Sequence, residues 1–293
     1  MTGDRVVVAG GGAVGQWVAA MMRAAGDAVV VTDPDNAAAQ LHSDITGPDA
    51  PLRDALRAAD TVVLAVPAQA ALAAIPVLAP DLRDGALLVE TLSVKAQAAR
   101  AVAAAGGRWQ ALGINPLFSP DLEPRGRPVA TVGHRSGPRT EDFLELLGRQ
   151  GCRVVPVEAD AHDRLSAATQ ALVHAAVLTF GLALSDLAQS DPGLSPELLE
   201  AAATPPAATA MALLARIGGG TPEVYWDVQS GNPHGAAVRK LLGAAAARIG
   251  SVVDNGTEGD FADLMQQATA GLGERLGDHR ATALRLFTVL SGP

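Results

Sequence analysis

The 293-residue chain is long enough for one large domain or two ordinary ones, and 48% hydrophobic with 18% charged residues is a folded, globular composition. A net charge of −9 without a cluster of Lys or Arg excludes nucleic acid and anionic membranes as expected partners, because both are held by a basic face. The single cysteine, Cys152, rules out an internal disulfide and a cysteine-based metal centre, so a reducing, cytoplasmic setting with no metal is expected.

The chain opens on a strand over 6–9, a glycine-rich turn and a helix over 13–25, with Gly26 at the helix end. Gly10, Gly12 and Gly15 fall on the G-x-G-x-x-G spacing of a dinucleotide-binding strand–turn–helix unit. The amides at the helix start, around Ala13 and Val14, then face a pyrophosphate. A glycine turn without a ligand shares this pattern, so the context decides. A second strand over 28–32 ends at Asp33, eighteen positions after Gly15. A carboxylate there suits the adenine-ribose hydroxyls and repels a 2′-phosphate, so NAD is expected over NADP.

Helix 52–59, strand 61–66, helix 69–78 and strand 86–90 continue the alternation and predict a doubly wound parallel sheet. Ligands of such sheets sit at the C-terminal strand ends, where Val66, Pro67 and the segment 90–95 lie. A strand over 109–114 leads into a proline-rich loop carrying Asn115 and Phe118, followed by strand 129–132, helix 141–149 and strand 152–157. From about Ala159 the pattern turns helical, over 163–188, 196–217 (interrupted at Pro205-Pro206), 222–230, 236–249, 258–276 and 281–290. The expected architecture is therefore α/β plus all-α. A Rossmann-type domain over 1–157 precedes a helical substrate and dimerisation domain over 158–293, and a homodimer is expected. The residues up to Ala9 read as strand, with no secretory leader ahead of it. No unbroken apolar run reaches about 18 residues, so no transmembrane helix is expected.

Four ordered segments resemble the prephenate and arogenate dehydrogenases over nearly the whole chain. They are the glycine fingerprint, Glu90-Thr-Leu-Ser-Val-Lys95, Gly113-Ile-Asn-Pro-Leu-Phe-Ser-Pro-Asp121, and the stretch from His162-Asp163 to His174. The resemblance implies hydride transfer to NAD from a prephenate-like cyclohexadiene, with loss of carbon dioxide and aromatisation of the ring. It assigns Ser93 and His174 to the substrate pocket, although Ser93 also suits the N-cap of the following helix and His174 suits a packed core. His162 reads as a helix-start residue and His134 as a surface one.

The sequence departs from the family at two points. Asn115 stands where the family has a histidine that assists deprotonation of the substrate hydroxyl, and Ala207 stands about where a carboxylate-binding arginine is expected. Arg216 is the nearest helical-domain arginine, and Arg125 or Arg127 are alternative anchors. An amide hydrogen-bonds but accepts no proton at neutral pH, and a general base is typically worth about 10²–10⁴-fold. Asn115 therefore points to a substrate with an amine on ring C4, as in 4-amino-4-deoxyprephenate, whose nitrogen lone pair expels hydride without a strong base. Ordinary prephenate or arogenate dehydrogenation, with water or His174 in the missing role, and a NAD-binding paralogue without activity are the alternatives.

Overall fold

The computed structural model describes residues 3–290; Met1, Thr2 and 291–293 lie outside the described residues. The chain forms two compact units, residues 1–166 and 167–293. The division falls inside the helical run that begins at Ala159, whereas the expected boundary after Val157 lies one residue past the last strand.

The first unit contains β1 (Arg5–Ala9), α1 (Ala13–Ala24), β2 (Ala28–Thr32), α2 (Ala50–Ala58), β3 (Thr61–Leu64), α3 (Ala68–Leu78), β4 (Leu87–Glu90) and α4 (Ala96–Ala105). β5 (Gln110–Pro116), β6 (Pro128–Arg135), α5 (Pro138–Arg149), β7 (Arg153–Pro156) and α6 (Ala159–Ser166) complete it. The seven strands lie in the order β2-β1-β3-β4-β5-β6-β7. Near-continuous runs such as Val6-Val7-Val8 and Val62-Val63-Leu64 are buried on both faces, as strands between two helical layers must be.

The first five strands are parallel, as expected for a doubly wound sheet, and the last two are reversed. β5 pairs antiparallel with β6, so β6 and its parallel partner β7 run against the other five. The reason is local: only residues 117–127 separate the two strands, without the crossover helix that a parallel return needs. The same pairing draws Asn115 and Pro116 out of the expected loop and into β5, opposite Ala130 and Val129. The remaining loop is pinned by Phe118, whose ring meets Trp17 of α1 edge-on at 5.8 Å between centroids.

The second unit is helical: α7 (Leu172–Ser190), α8 (Pro196–Ala201), α9 (Pro205–Gly218), α10 (Pro222–Trp226), α11 (Gly235–Asn255), α12 (Glu258–Thr269) and α13 (Leu276–Leu290). The helical stretch is interrupted next to Pro205-Pro206, as expected: α8 ends at Ala201 and the two prolines open α9, since proline is favoured in a first helical turn and Thr204 caps it. Two turns widen to π-helix, Ala167–Ala171 and Asp227–Gly231. They are linked, because Gln229 Nε2 donates to the Ala171 carbonyl at 2.7 Å. Few side chains of this unit are buried, and Leu182, Trp226 and Val289 are 69%, 67% and 78% exposed.

The helical run Ala159–Ser190 is, by length and composition alone, long and apolar enough to cross a membrane. Thr169, Gln170 and His174 interrupt it, so it holds no unbroken apolar run of the length sought in the sequence. Its first turns carry His162 and Asp163, both buried within the sheet-containing unit.

Candidate active site

The glycine turn connects β1 to α1 at the C-terminal edge of the sheet. Gly10 has φ +102°, a conformation that side chains rarely adopt, and a Cβ there would lie 2.1 Å from the Ala65 carbonyl oxygen. A Cβ on Gly15 would meet the Gly10 oxygen at 2.0 Å, so helix and turn pack backbone to backbone. Gly12 caps α1 and faces open space, with nothing within 4 Å of where a Cβ would stand. Open space beside the first amides of α1, at Ala13 and Val14, is what a pyrophosphate needs. Gly10, Asp33, Val66 and Pro67 line one cleft of ≈ 250 Å³ next to this turn.

Asp33 organises the rim of that cleft. One carboxylate oxygen accepts from the Gly11 amide at 2.7 Å, and the other accepts from the Asp35 and Asn36 amides at 3.0 Å each. Burial pushes this carboxyl up, but the three backbone donors outweigh it and hold it below the usual carboxylate range. Asn36 closes the ring by donating to the Gly11 carbonyl at 2.9 Å. The residues therefore fit a dinucleotide, with amides for its phosphates and a charged carboxylate at the sugar end.

A second cluster lies at the ends of β4 and β5. Glu90, Lys95 and His134 are all buried. Lys95 Nζ donates to Glu90 Oε2 at 2.8 Å and to the Ile114 carbonyl at 2.7 Å, and His134 Nε2 sits 2.8 Å from Glu90 Oε1. Burial would raise the Glu90 carboxyl, yet Lys95 and His134 bring it below the usual range; burial pulls the Lys95 ammonium down while Glu90 opposes it. A Cβ on Gly113 would lie 2.2 Å from Glu90 Oε1, so only glycine leaves room for this group. His134 is thus a buried partner of Glu90 and not the surface residue expected, because the reversed β6 turns it inward beside β5.

The bond from Lys95 to Ile114 fixes the peptide that leads into Asn115. Asn115 is 3% exposed, and its Nδ2 lies 3.1 Å from His162 Nε2. His162 Nδ1 lies 2.9 Å from Asp163 Oδ1. Asp163 also accepts from the backbone amides of Lys95 at 2.7 Å and Ala96 at 2.9 Å. Burial would raise the Asp163 carboxyl, but the bond to His162 and the two amides hold it low. Asp163 therefore caps α4 from a distant part of the chain. Ser93 does not cap it: the cap position is Lys95, without a side-chain bond of its own. Ser93 is half-buried in the connection after β4, its carbonyl accepting from Ser166 Oγ at 3.3 Å. His162 is a member of this row rather than a simple helix-start residue.

His174 belongs to the helical unit. Its ring meets Tyr225 edge-on at 4.9 Å, and its Nδ1 is buried without a hydrogen-bond partner. Burial, with the nearby Arg216 charge, lowers its pKa and keeps it neutral. Tyr225 also borders an apolar groove of ≈ 440 Å³ with Leu178 and Trp226.

Sequence reasoning named Asn115 but missed the buried groups around it: His162 and Asp163 in one row, and Lys95, Glu90 and His134 behind the Ile114 carbonyl. The signal available was the paired spacing of Glu90 with Lys95 and of His162 with Asp163.

Comparison with known proteins gives a consistent picture. Residues 18–124 match the nucleotide-binding domain of prephenate dehydrogenase. The chain is 43% identical, over 98% of its length and 97% of the relative's, to 4-amino-4-deoxyprephenate dehydrogenase of Streptomyces pristinaespiralis. A probable arogenate/prephenate dehydrogenase of Methanocaldococcus jannaschii is 24% identical over 91% of this chain, which spans 60% of that relative. In fold the chain is similar to the crystal structure of prephenate dehydrogenase from A. aeolicus in complex with hydroxyphenyl propionate and NAD+. That likeness has a TM-score of 0.70 at 15% identity, covering 94% of this chain and 99% of that one.

Proposed function

The chain belongs to the prephenate dehydrogenase family, and from this premise we propose that it oxidatively decarboxylates a cyclohexadiene carrying an amine at ring C4, the 4-amino-4-deoxyprephenate type of substrate. NAD, when bound, supplies the hydride acceptor. The observation that carries the reading is Asn115, buried and bonded to His162 where a proton-accepting side chain would serve an alcohol. Asn115 holds the C4 substituent by a hydrogen bond and moves no proton. Ser93, in the connection after β4, is assigned to the same end of the site. Glu90 and Lys95 hold the Ile114–Asn115 peptide in place. Asp33 and the glycine turn bind and orient the dinucleotide and exclude a 2′-phosphate. His174 is assigned to substrate contact as a neutral imidazole, with Arg216 nearby as a candidate anchor for the ring carboxylate.

The electron count closes without a base. The C4–H pair leaves as hydride, the bond to the departing carboxylate supplies the pair that completes the aromatic ring, and the amine keeps both its hydrogens. The product is an aminophenyl-pyruvyl compound, a precursor of the kind used for aminophenylalanine-type secondary metabolites. A cytoplasmic homodimer formed through the helical unit completes the proposal.

Steady-state kinetics with NAD test it. The expected outcome is a higher kcat/KM for 4-amino-4-deoxyprephenate than for prephenate or arogenate, and a shift of the preference toward prephenate in Asn115→His. Equal or faster turnover of prephenate by the wild-type enzyme would overturn the substrate assignment. Tight NAD binding without turnover of any of the three would overturn the activity.

A further inference from the structure

The row Asn115–His162–Asp163 has a direction. Asp163 accepts two backbone amides, from Lys95 and Ala96, which a carboxylate does and a protonated carboxyl does poorly. The His162 nitrogen facing it, Nδ1, must therefore be the one that carries a hydrogen. In the neutral ring this leaves Nε2 bare, an acceptor buried 3.1 Å from the Asn115 amide. Only the NH₂ end of that amide can satisfy it. Asn115 is then held with Nδ2 toward His162 and Oδ1 as its remaining polar atom.

We propose that His162, itself oriented by Asp163, is a positioning residue that holds the Asn115 amide with its oxygen toward the substrate, and that this orientation suits the site to a ring amine. The inference rests on the reading that Asn115 meets the C4 amine. Its chemical content is that the two faces of an amide act oppositely on that amine. An oxygen accepting an N–H bond pushes electron density toward nitrogen and leaves the lone pair free to drive hydride departure. An NH₂ group would instead donate to the lone pair and withhold it. Rotating the amide by half a turn leaves its size unchanged, but it sets two acceptors against each other at His162 and reverses the effect of the amide on the reacting bond. The orientation therefore acts on the chemical step more than on binding.

The experiment combines a spectroscopic and a kinetic readout on the full-length protein. In the 15N-labelled wild-type enzyme, the His162 imidazole should show a protonated Nδ1 and an unprotonated Nε2; the opposite tautomer overturns the proposal. His162→Leu keeps the bulk and removes the acceptor. It should lower kcat for the amino substrate by about 100-fold, the order expected of a misplaced reacting group, with KM and NAD affinity little changed. His162→Gln, whose side-chain oxygen reaches the position of Nε2, should recover most of that loss. An unchanged kcat in His162→Leu, or a loss that Gln fails to restore, makes His162 a packing residue only. Should His162→Leu fail to fold, the tautomer and the His162→Gln kinetics decide. A wild-type enzyme that prefers prephenate overturns the substrate reading whatever the tautomer, so the two failures are distinguishable.

Discussion

At the scale of single residues, the carboxylates of the site each have several directed partners. Asp33 is the clearest case at the cofactor end. Its carboxyl lies below its ordinary value of 3.8, although burial pushes the other way, because three backbone amides favour the charged form. The sign follows from linkage: a lowered folded-state pKa contributes stability that is complete above the ordinary value and is lost as pH falls through the folded one. Asp33→Asn leaves at least one of the amides of Gly11, Asp35 and Asn36 with a weaker acceptor or none. The expected outcome is an NAD dissociation constant raised about tenfold, a change of about 1.4 kcal/mol, and a weakened preference for NAD over NADP, both read by calorimetry. Urea melts of the two proteins should differ by a constant amount near neutral pH and converge below 3.8. Asp33 was legible in the sequence because its distance from the glycines is set by one helix and one strand. His134 was not, because its burial depends on the direction of β6, which follows from the short connection over 117–127 and not from the residues around His134.

At the scale of elements, β4 and β5 are joined by more than their ladder. The Glu90–Lys95 pair bridges the end of one strand to the carbonyl of Ile114 in the other, and Gly113 makes the space. Removing one member of a buried ion pair leaves the other uncompensated, at a cost of about 3–5 kcal/mol. Lys95→Met should therefore lower the unfolding free energy by about that amount in chemical denaturation. The double variant Lys95→Met with Glu90→Gln should recover part of it, because no lone charge is left. Alternation of strand and helix in the first unit was readable from periodicity to within a few residues, and β2 spans Ala28–Thr32 as expected. The cap on α4 was not, because its acceptor, Asp163, lies 68 positions from the Lys95 amide that it holds. Periodicity reports what a segment does with its neighbours in sequence, and this bond joins segments that meet only in the fold.

At the scale of the whole molecule, the two units bury their side chains very differently. The sheet-containing unit has a continuous core on both faces of the sheet, whereas large apolar side chains of the helical unit, including Leu182, Trp226, Leu241 and Val289, remain more than half exposed. Exposed apolar surface on that scale is covered in a stable soluble protein, and a second copy is the cover proposed here. Sedimentation velocity should give a dimer at micromolar concentration. Leu182→Asp with Trp226→Asp should give a monomer that still binds NAD, because the cofactor cradle is built entirely from the first unit.

The row of Asn115, His162 and Asp163 has a consequence for traffic rather than for geometry. A histidine in place of Asn115 would turn the row into a wire along which a proton could hop from substrate toward His162. An amide passes hydrogen bonds along but not protons, so here the row is an insulator. On the proposed assignment of Asn115, the chemistry begins from a substrate that has already shed any surplus proton to water, and the state in which the amine arrives becomes the step that acidity controls.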